Sequence, residues 1–254
     1  MTSQLPTLVG HRGAAAIAPE NTIASFRRGV AEGVRWLECD VHLSADGADV
    51  ILHDATIDRT AQEDSPLRTG AVADLTRAQL DRVLVGADQH IPTLAQVLEA
   101  SVREDGTRVP LLVEIKAPAA ADLVVEILLE QLGAEAFADE VDRPAPAVIL
   151  SFHEEPLRRA AELAPQIPRM RTTTATSPEW WESCRELQLA HVGVRIADAR
   201  QADVERAAEL GAALNLWTAR SEEELERALE LGCDTITVDD PAWAAELMAA
   251  RVRA

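Results

Sequence analysis

Apolar residues along this chain follow two alternating rhythms. Short runs of β-branched and aliphatic side chains are each followed by longer stretches whose apolar positions recur at helical spacing. The strand candidates are Thr7 to Gly10, Trp36 to Leu43, Pro110 to Lys116, Ala147 to Phe152, Arg169 to Thr173, His191 to Ile196, Ala213 to Thr218 and Thr235 to Val238. The helix candidates are Thr22 to Glu32, Leu94 to Arg103, Ala121 to Gln131, Glu155 to Leu163, Pro178 to Gln188, Asp203 to Leu210, Ser221 to Leu231 and Ala242 to Val252. Strand followed by helix is the pattern of a parallel sheet covered by helices, and eight such units predict an α/β fold closed into a (β/α)8 TIM barrel. Gly33, Gly133, Gly211 and Gly232 fall just past four helix ends, where a left-handed residue stops a helix. Ser221 with Glu224 has the spacing of a capping box, and Asn21 that of an N-cap.

One connection is too long for this pattern. The stretch from Ala55 to about residue 90 separates the second strand from its helix, so a small insertion follows the second strand. Asp46-Gly47 is a turn signal, and Asp49 to His53 beyond it predicts a short strand paired with the end of the second. Asp74-Leu75-Thr76 ahead of Arg77 to Leu84 predicts a small capped helix, so the insertion is expected to be ordered and to shape entry at the barrel top.

A length of 254 residues with 47% hydrophobic side chains suits one barrel, so residues 1–254 are expected to form one domain. Met1 to Val9 has no basic head and no long apolar run, and no apolar stretch elsewhere approaches a membrane span, so stable membrane insertion is not expected and a cytoplasmic location is. Cys39, Cys184 and Cys233 are an odd set without metal-site or redox spacing, which fits a reducing compartment. The net charge of −19 argues against nucleic acid as a partner, because its phosphates are held mainly by Lys and Arg. A phosphate-bearing substrate would need a local cluster of positive groups or a bound cation.

The chemistry concentrates where barrel strands end. The first strand runs into His11-Arg12-Gly13, the second carries Glu38 and Asp40, the short extension ends in His53-Asp54, and the third barrel strand ends in Glu114-Ile115-Lys116. Strand alternation turns Glu38 and Asp40 inward together, and likewise Glu114 and Lys116, while Leu37, Cys39, Val41, Val113 and Ile115 face the helices. Three converging carboxylates without clustered His or Cys favour one divalent cation, Mg²⁺, Ca²⁺ or Mn²⁺, over zinc. The competing reading makes them plain ion-pair partners of Arg12 and Lys116. His11 and His53 are suited to exchange protons, one as general base and one as general acid, with Arg12 and Lys116 neutralising phosphodiester oxygens. His42, His90, His153 and His191 lack such company and are expected to be structural.

These segments, with Ala18-Pro19-Glu20-Asn21-Thr22, Asp58-Arg59-Thr60, Thr69-Gly70, Ile91-Pro92-Thr93-Leu94, Ser151-Phe152, Trp217-Thr218 and Gly232 to Pro241, resemble the glycerophosphodiester phosphodiesterase family over about residues 7–243. The resemblance implies a (β/α)8 barrel that hydrolyses small glycerophosphodiesters to sn-glycerol 3-phosphate and an alcohol. It implies Glu38, Asp40 and Glu114 as metal ligands, His11 and His53 as the catalytic acid/base pair, and Arg12 and Lys116 as phosphate contacts. It also implies Trp217 as a substrate-lining residue, with Glu20 and Asn21 not catalytic. The chain departs from the family pattern at Ala61 to Ser65 and at Asp240. Two alternatives stay open: action on a related phospholipid head group, as a lysophospholipase D or a lyase forming a cyclic phosphate, and a barrel that binds phosphodiesters without turnover.

Overall fold

The chain runs β1 (Thr7–Gly10), α1 (Ile23–Ala31), β2 (Trp36–Leu43), β3 (Asp49–Ile51), α2 (Arg77–Leu80), β4 (Leu84–Val85), β5 (Gln89–His90), α3 (Leu94–Ala100), β6 (Leu111–Ile115) and α4 (Ala121–Leu132). It continues through β7 (Ala147–Ser151), α5 (Glu154–Leu163), β8 (Arg169–Thr173), α6 (Pro178–Glu186), β9 (His191–Arg195), α7 (Gln201–Leu210), β10 (Ala213–Ala219), α8 (Glu222–Leu231), β11 (Thr235–Val238) and α9 (Pro241–Arg253). This computed structural model describes residues 5–138 and 144–253, so the start of the stretch Met1 to Val9 lies outside the described residues.

The parallel strands follow the order β1, β11, β10, β9, β8, β7, β6, β2, and pairing of β1 with β2 closes the ring. The fold is a closed eight-stranded parallel barrel wrapped by helices. β3 is antiparallel and extends β2 beyond the barrel. Leu37, Cys39, Val41, Val113 and Ile115 belong to the apolar layer between barrel and helices, as alternation requires. A smaller apolar cluster of Val9, Leu112, Val148, Leu150 and Met170 lies apart from that layer.

Register positions the acids. Asp40 of β2 is paired with Glu114 of β6, and Gly10 of β1 is paired with Leu37 of β2, so His11 leaves its strand beside Glu38. The turn after β1 is compact because Gly13 has φ +90°, and a Cβ there would fall 2.6 Å from the Ser25 carbonyl oxygen. Ser25 Oγ in turn accepts from Ala14 N and donates to the Arg12 carbonyl, which fastens the loop to α1.

Between β3 and α3 the chain builds a cluster of its own, with Ile57, Val72, Leu80, Val83, Val85 and Ile91 buried together. The small helix is shorter than its sequence suggests. Thr76 and Gln79 make a full capping box, but the helix stops at Leu80, because Leu84–Val85 pairs with Gln89–His90 and buries Val83 and Val85 in that cluster. Two caps also differ from expectation. Thr22, not Asn21, caps α1, since its side chain accepts from Ser25 N. Ser221 caps α8, but the Glu224 carboxylate takes the Arg220 N–H one residue earlier and leaves the box half made. No helix among the described residues is long and apolar enough to cross a membrane.

Candidate active site

At the C-terminal mouth of the barrel, ligand oxygens of Glu38, Asp40 and Glu114 all lie within 4.8 Å of one another. All three carboxylates are buried, and two of their oxygens are poorly satisfied. Glu38 Oε1 has no hydrogen-bond partner, and Asp40 Oδ1 has only the Lys116 ammonium 3.1 Å away, out of hydrogen-bonding alignment. Burial, reinforced by the charges of Asp40 and Glu114, pushes the Glu38 carboxyl well above its ordinary range. Burial and the Asp40 charge push Glu114 up to about 7. Burial also acts to raise Asp40, but Lys116 and Arg12 outweigh it and hold that carboxyl well below the usual range. Orphaned, mutually repelling oxygens of carboxylates alone are a donor set that fits a hard divalent cation.

Two cations frame this cluster. Arg12 Nε lies 3.3 Å from Asp40 Oδ2, its backbone N–H donates to Glu38 Oε2, and its Nη1 donates to Glu20. Lys116 Nζ sits 2.8 Å from Glu114 Oε1. Arg12 and Asn21 both have left-handed backbones, with φ 49° and 55°, a strain of about 1 kcal/mol or more each that the surrounding hydrogen bonds must offset. Asn21 N donates to the Arg12 carbonyl, and Asn21 Nδ2 donates to Asp40 Oδ2 at 2.8 Å. Asn21 therefore orients a carboxylate of the cluster instead of capping the helix.

The two imidazoles are built alike. His11 Nδ1 donates to Asp239 Oδ1 at 2.5 Å, and Asp239 Oδ2 accepts from Arg220 Nε. His53 Nδ1 donates to Asp54 Oδ1 at 2.7 Å, and Asp54 Oδ2 accepts from Arg59 Nε. A carboxylate on Nδ1 fixes the tautomer and leaves Nε2 free to act on a ligand. Burial lowers the His11 pKa, with the Asp239 hydrogen bond opposing, so the ring is neutral at neutral pH. Arg59 also grips both oxygens of Glu20, at 2.7 Å each.

Seven of the eight residues singled out from the sequence border one cavity of about 110 Å³: His11, Arg12, Glu38, His53, Glu114, Lys116 and Trp217. The eighth, Asp40, is buried behind them against Arg12 and Lys116. The lining also includes apolar Leu112, Leu150, Met170 and Phe152, whose ring meets Trp217 edge-on with centroids 5.5 Å apart, and polar Thr172, Asn215 and Thr237. His42 Nε2 lies 3.1 Å from the His53 carbonyl, so that histidine supports the backbone of the site and does not line the cavity.

Sequence reasoning missed Asp239 and Arg220. Asp239 directly follows β11, and a charged residue just past a barrel strand was the available signal. Glu20, Asp54 and Arg59 were visible within the motifs, but nothing in the spacing revealed that they form one chain of ion pairs.

The glycerophosphoryl diester phosphodiesterase family model matches residues 11–243. A glycerophosphodiester phosphodiesterase of Caldanaerobacter subterraneus subsp. tengcongensis is 29% identical over 92% of this chain and 94% of that protein. A Mycobacterium tuberculosis protein named "Probable glycerophosphodiester phosphodiesterase 1" is 32% identical over 94% of this chain and 92% of its own length. Among solved structures, an Oleispira antarctica phosphodiesterase in complex with its product sn-glycerol-3-phosphate superposes with a TM-score of 0.81 at 25% identity, covering 96% of this chain and 97% of that one. A family match that takes in the insertion and every residue named at the mouth leaves one assignment: the chain belongs to the glycerophosphoryl diester phosphodiesterase family.

Proposed function

We propose that the protein hydrolyses small glycerophosphodiesters to sn-glycerol 3-phosphate and an alcohol. The carrying observation is the trio of buried carboxylates within 4.8 Å of one another, flanked by two imidazoles each held through Nδ1 by its own carboxylate. The names of the Caldanaerobacter enzyme and of the Oleispira product complex support the substrate class.

Charge balance supports the same reading. In the fully ionised form that a metal would bind, Glu38, Asp40 and Glu114 outnumber the two close cations, Arg12 and Lys116, so the cluster would carry one net negative charge and repel a phosphodiester. One Mg²⁺, Ca²⁺ or Mn²⁺ held by the three carboxylates would reverse that sign and polarise the phosphoryl group as a Lewis acid. Arg12 and Lys116 then bind the non-bridging oxygens. His11, kept neutral by burial, offers Nε2 to take the proton of the attacking oxygen, and Asp239 stabilises the imidazolium that results. His53, held by Asp54, presents Nε2 to protonate the departing alkoxide. Trp217 and Phe152 form an apolar wall that excludes water from one side of the substrate.

The direct test is release of sn-glycerol 3-phosphate from a panel of glycerophosphodiesters with and without a chelator. Activity that chelator abolishes and a divalent ion restores is expected. His11→Ala and His53→Ala should each lower kcat about 100-fold or more while leaving the melting temperature close to wild type. Glu114→Ala should demand more cation for half-activation. Turnover unaffected by chelator, or full activity in either histidine variant, removes the assigned roles.

A further inference from the structure

Arg59 belongs to neither the cavity wall nor the carboxylate trio, yet its guanidinium touches both halves of the site. Nε donates to Asp54 Oδ2 at 2.6 Å, while Nη1 and Nη2 donate to the two oxygens of Glu20 at 2.7 Å each. The other side of each carboxylate is committed inward. Asp54 Oδ1 holds His53 Nδ1, and Glu20 Oε1 also accepts from Arg12 Nη1 at 2.9 Å. The Arg59 hydrogen bond is the largest influence lowering the Asp54 carboxyl, to about 2.

A half-exposed ion pair is ordinarily worth little to stability. Here the geometry is bidentate on one acid and simultaneous on a second, an arrangement only a planar guanidinium can satisfy. The backbone delivering it is anchored. Ile57 is fully buried in the insertion's own cluster, its carbonyl accepts from Thr60 N and Ala61 N, and Asp58 Oδ1 accepts from Gly70 N at 3.0 Å.

We infer that Arg59 is a positioning residue through which the insertion sets the pose of His53 and Arg12 together, locking the proton donor and the phosphate-binding cation into one frame. This rests on the roles proposed above for those two residues. Without Arg59, Asp54 and Glu20 are free to rotate towards solvent, and both inward groups lose their outer support. Displacement of reacting groups by about 1 Å is enough to cost on the order of 100-fold in rate.

The test compares Arg59→Ala and Arg59→Lys with wild type and with His11→Ala. Arg59→Ala should lower kcat about 30-fold or more with KM changed less than about tenfold, since the reacting groups remain but are misplaced. Lysine reaches one acid at a time and should restore only part of the rate. In Glu20→Gln/Asp54→Asn protein, Arg59→Ala should cause little further loss, because its two contacts are already weakened. Arg59→Ala with wild-type kcat and only a lower melting temperature overturns the inference, as does full restoration by lysine.

A second measurement is independent of turnover. In the ¹⁵N–¹H spectrum of the imidazoles, wild-type His53 should show its Nδ1-protonated tautomer and Arg59→Ala should show averaging between tautomers. An unchanged His53 signal also overturns the inference. If the wild-type enzyme released no product from any phosphodiester, the functional reading would fall, while this spectrum would still decide the role of Arg59.

Discussion

His11 and His53 share one plan but differ in depth, with side chains 12% and 34% exposed. The deeper ring has its pKa lowered by burial and is suited to accept a proton; the shallower one is more open to solvent, which suits the role proposed for it of protonating a departing alkoxide. That division predicts unequal responses to the leaving group. A p-nitrophenyl ester of glycerol phosphate departs without a proton, so His53→Ala should keep activity towards it within about tenfold of wild type, while losing about 100-fold or more with an ordinary alkyl ester. His11→Ala should lose both activities, because the attacking oxygen is the same in each. Paired steady-state measurements on the two esters decide it, and equal losses in His53→Ala would strip that residue of its acid role. Asp239 and Asp54 supply the other half of each unit, and their hydrogen bonds explain how two solitary histidines become oriented ones.

Among the elements, the β1–α1 connection governs the site, because His11, Arg12, Glu20 and Asn21 all lie on it. Its tightness depends on Gly13, whose φ of +90° and contact with Ser25 exclude a side chain. Gly47 is a useful contrast, since its φ is +80° but nothing would lie near an added Cβ. Gly13→Ala should destabilise the fold by about 3 kcal/mol and depress activity, whereas Gly47→Ala should cost about 1 kcal/mol and leave activity alone. Urea midpoints separate the two; equal shifts would mean that backbone strain alone matters and that the loop tolerates displacement. The same elements show what a sequence discloses. Alternation along β2 and β6 was enough to turn Glu38, Asp40, Glu114 and Lys116 inward, because it is a local property of extended chain. Asn21 was misplaced because Asn and Thr are both good caps, and only the fold shows that Thr22 faces Ser25 while Asn21 reaches Asp40. Asp239 lies 228 residues from His11, so their bond exists only once β1 pairs with β11. The helix after Thr76 ended early because residues beyond Leu80 were needed for the insertion's own apolar cluster, which no local pattern announces.

For the whole molecule, a net charge of −19 opposes an anionic substrate, and folding adds three carboxylates packed at the barrel mouth. Their repulsion makes stability and cation binding two sides of one proton equilibrium. Burial and Asp40 raise Glu114 from an unfolded value near 4.5 to about 7, and Glu38 moves in the same direction. An acid whose folded pKa is raised contributes stability that is complete below its unfolded pKa and is lost as pH climbs through its folded pKa. Without a divalent ion, these two groups should therefore make the barrel progressively easier to unfold between about pH 5 and pH 8. The proposed cation would bind the deprotonated form, so its affinity should move the opposite way. With a pKa of about 7, Glu114 is roughly one-tenth ionised at pH 6 and nine-tenths at pH 8, which predicts about tenfold tighter binding across that interval. Calorimetric titration with Ca²⁺ or Mg²⁺ at the two pH values, repeated in buffers of different ionisation enthalpy, measures both the affinity change and the protons released on binding. A cation affinity that stays flat with no proton release would mean that the trio is already charged and balanced by Arg12 and Lys116, which is the ion-pair alternative.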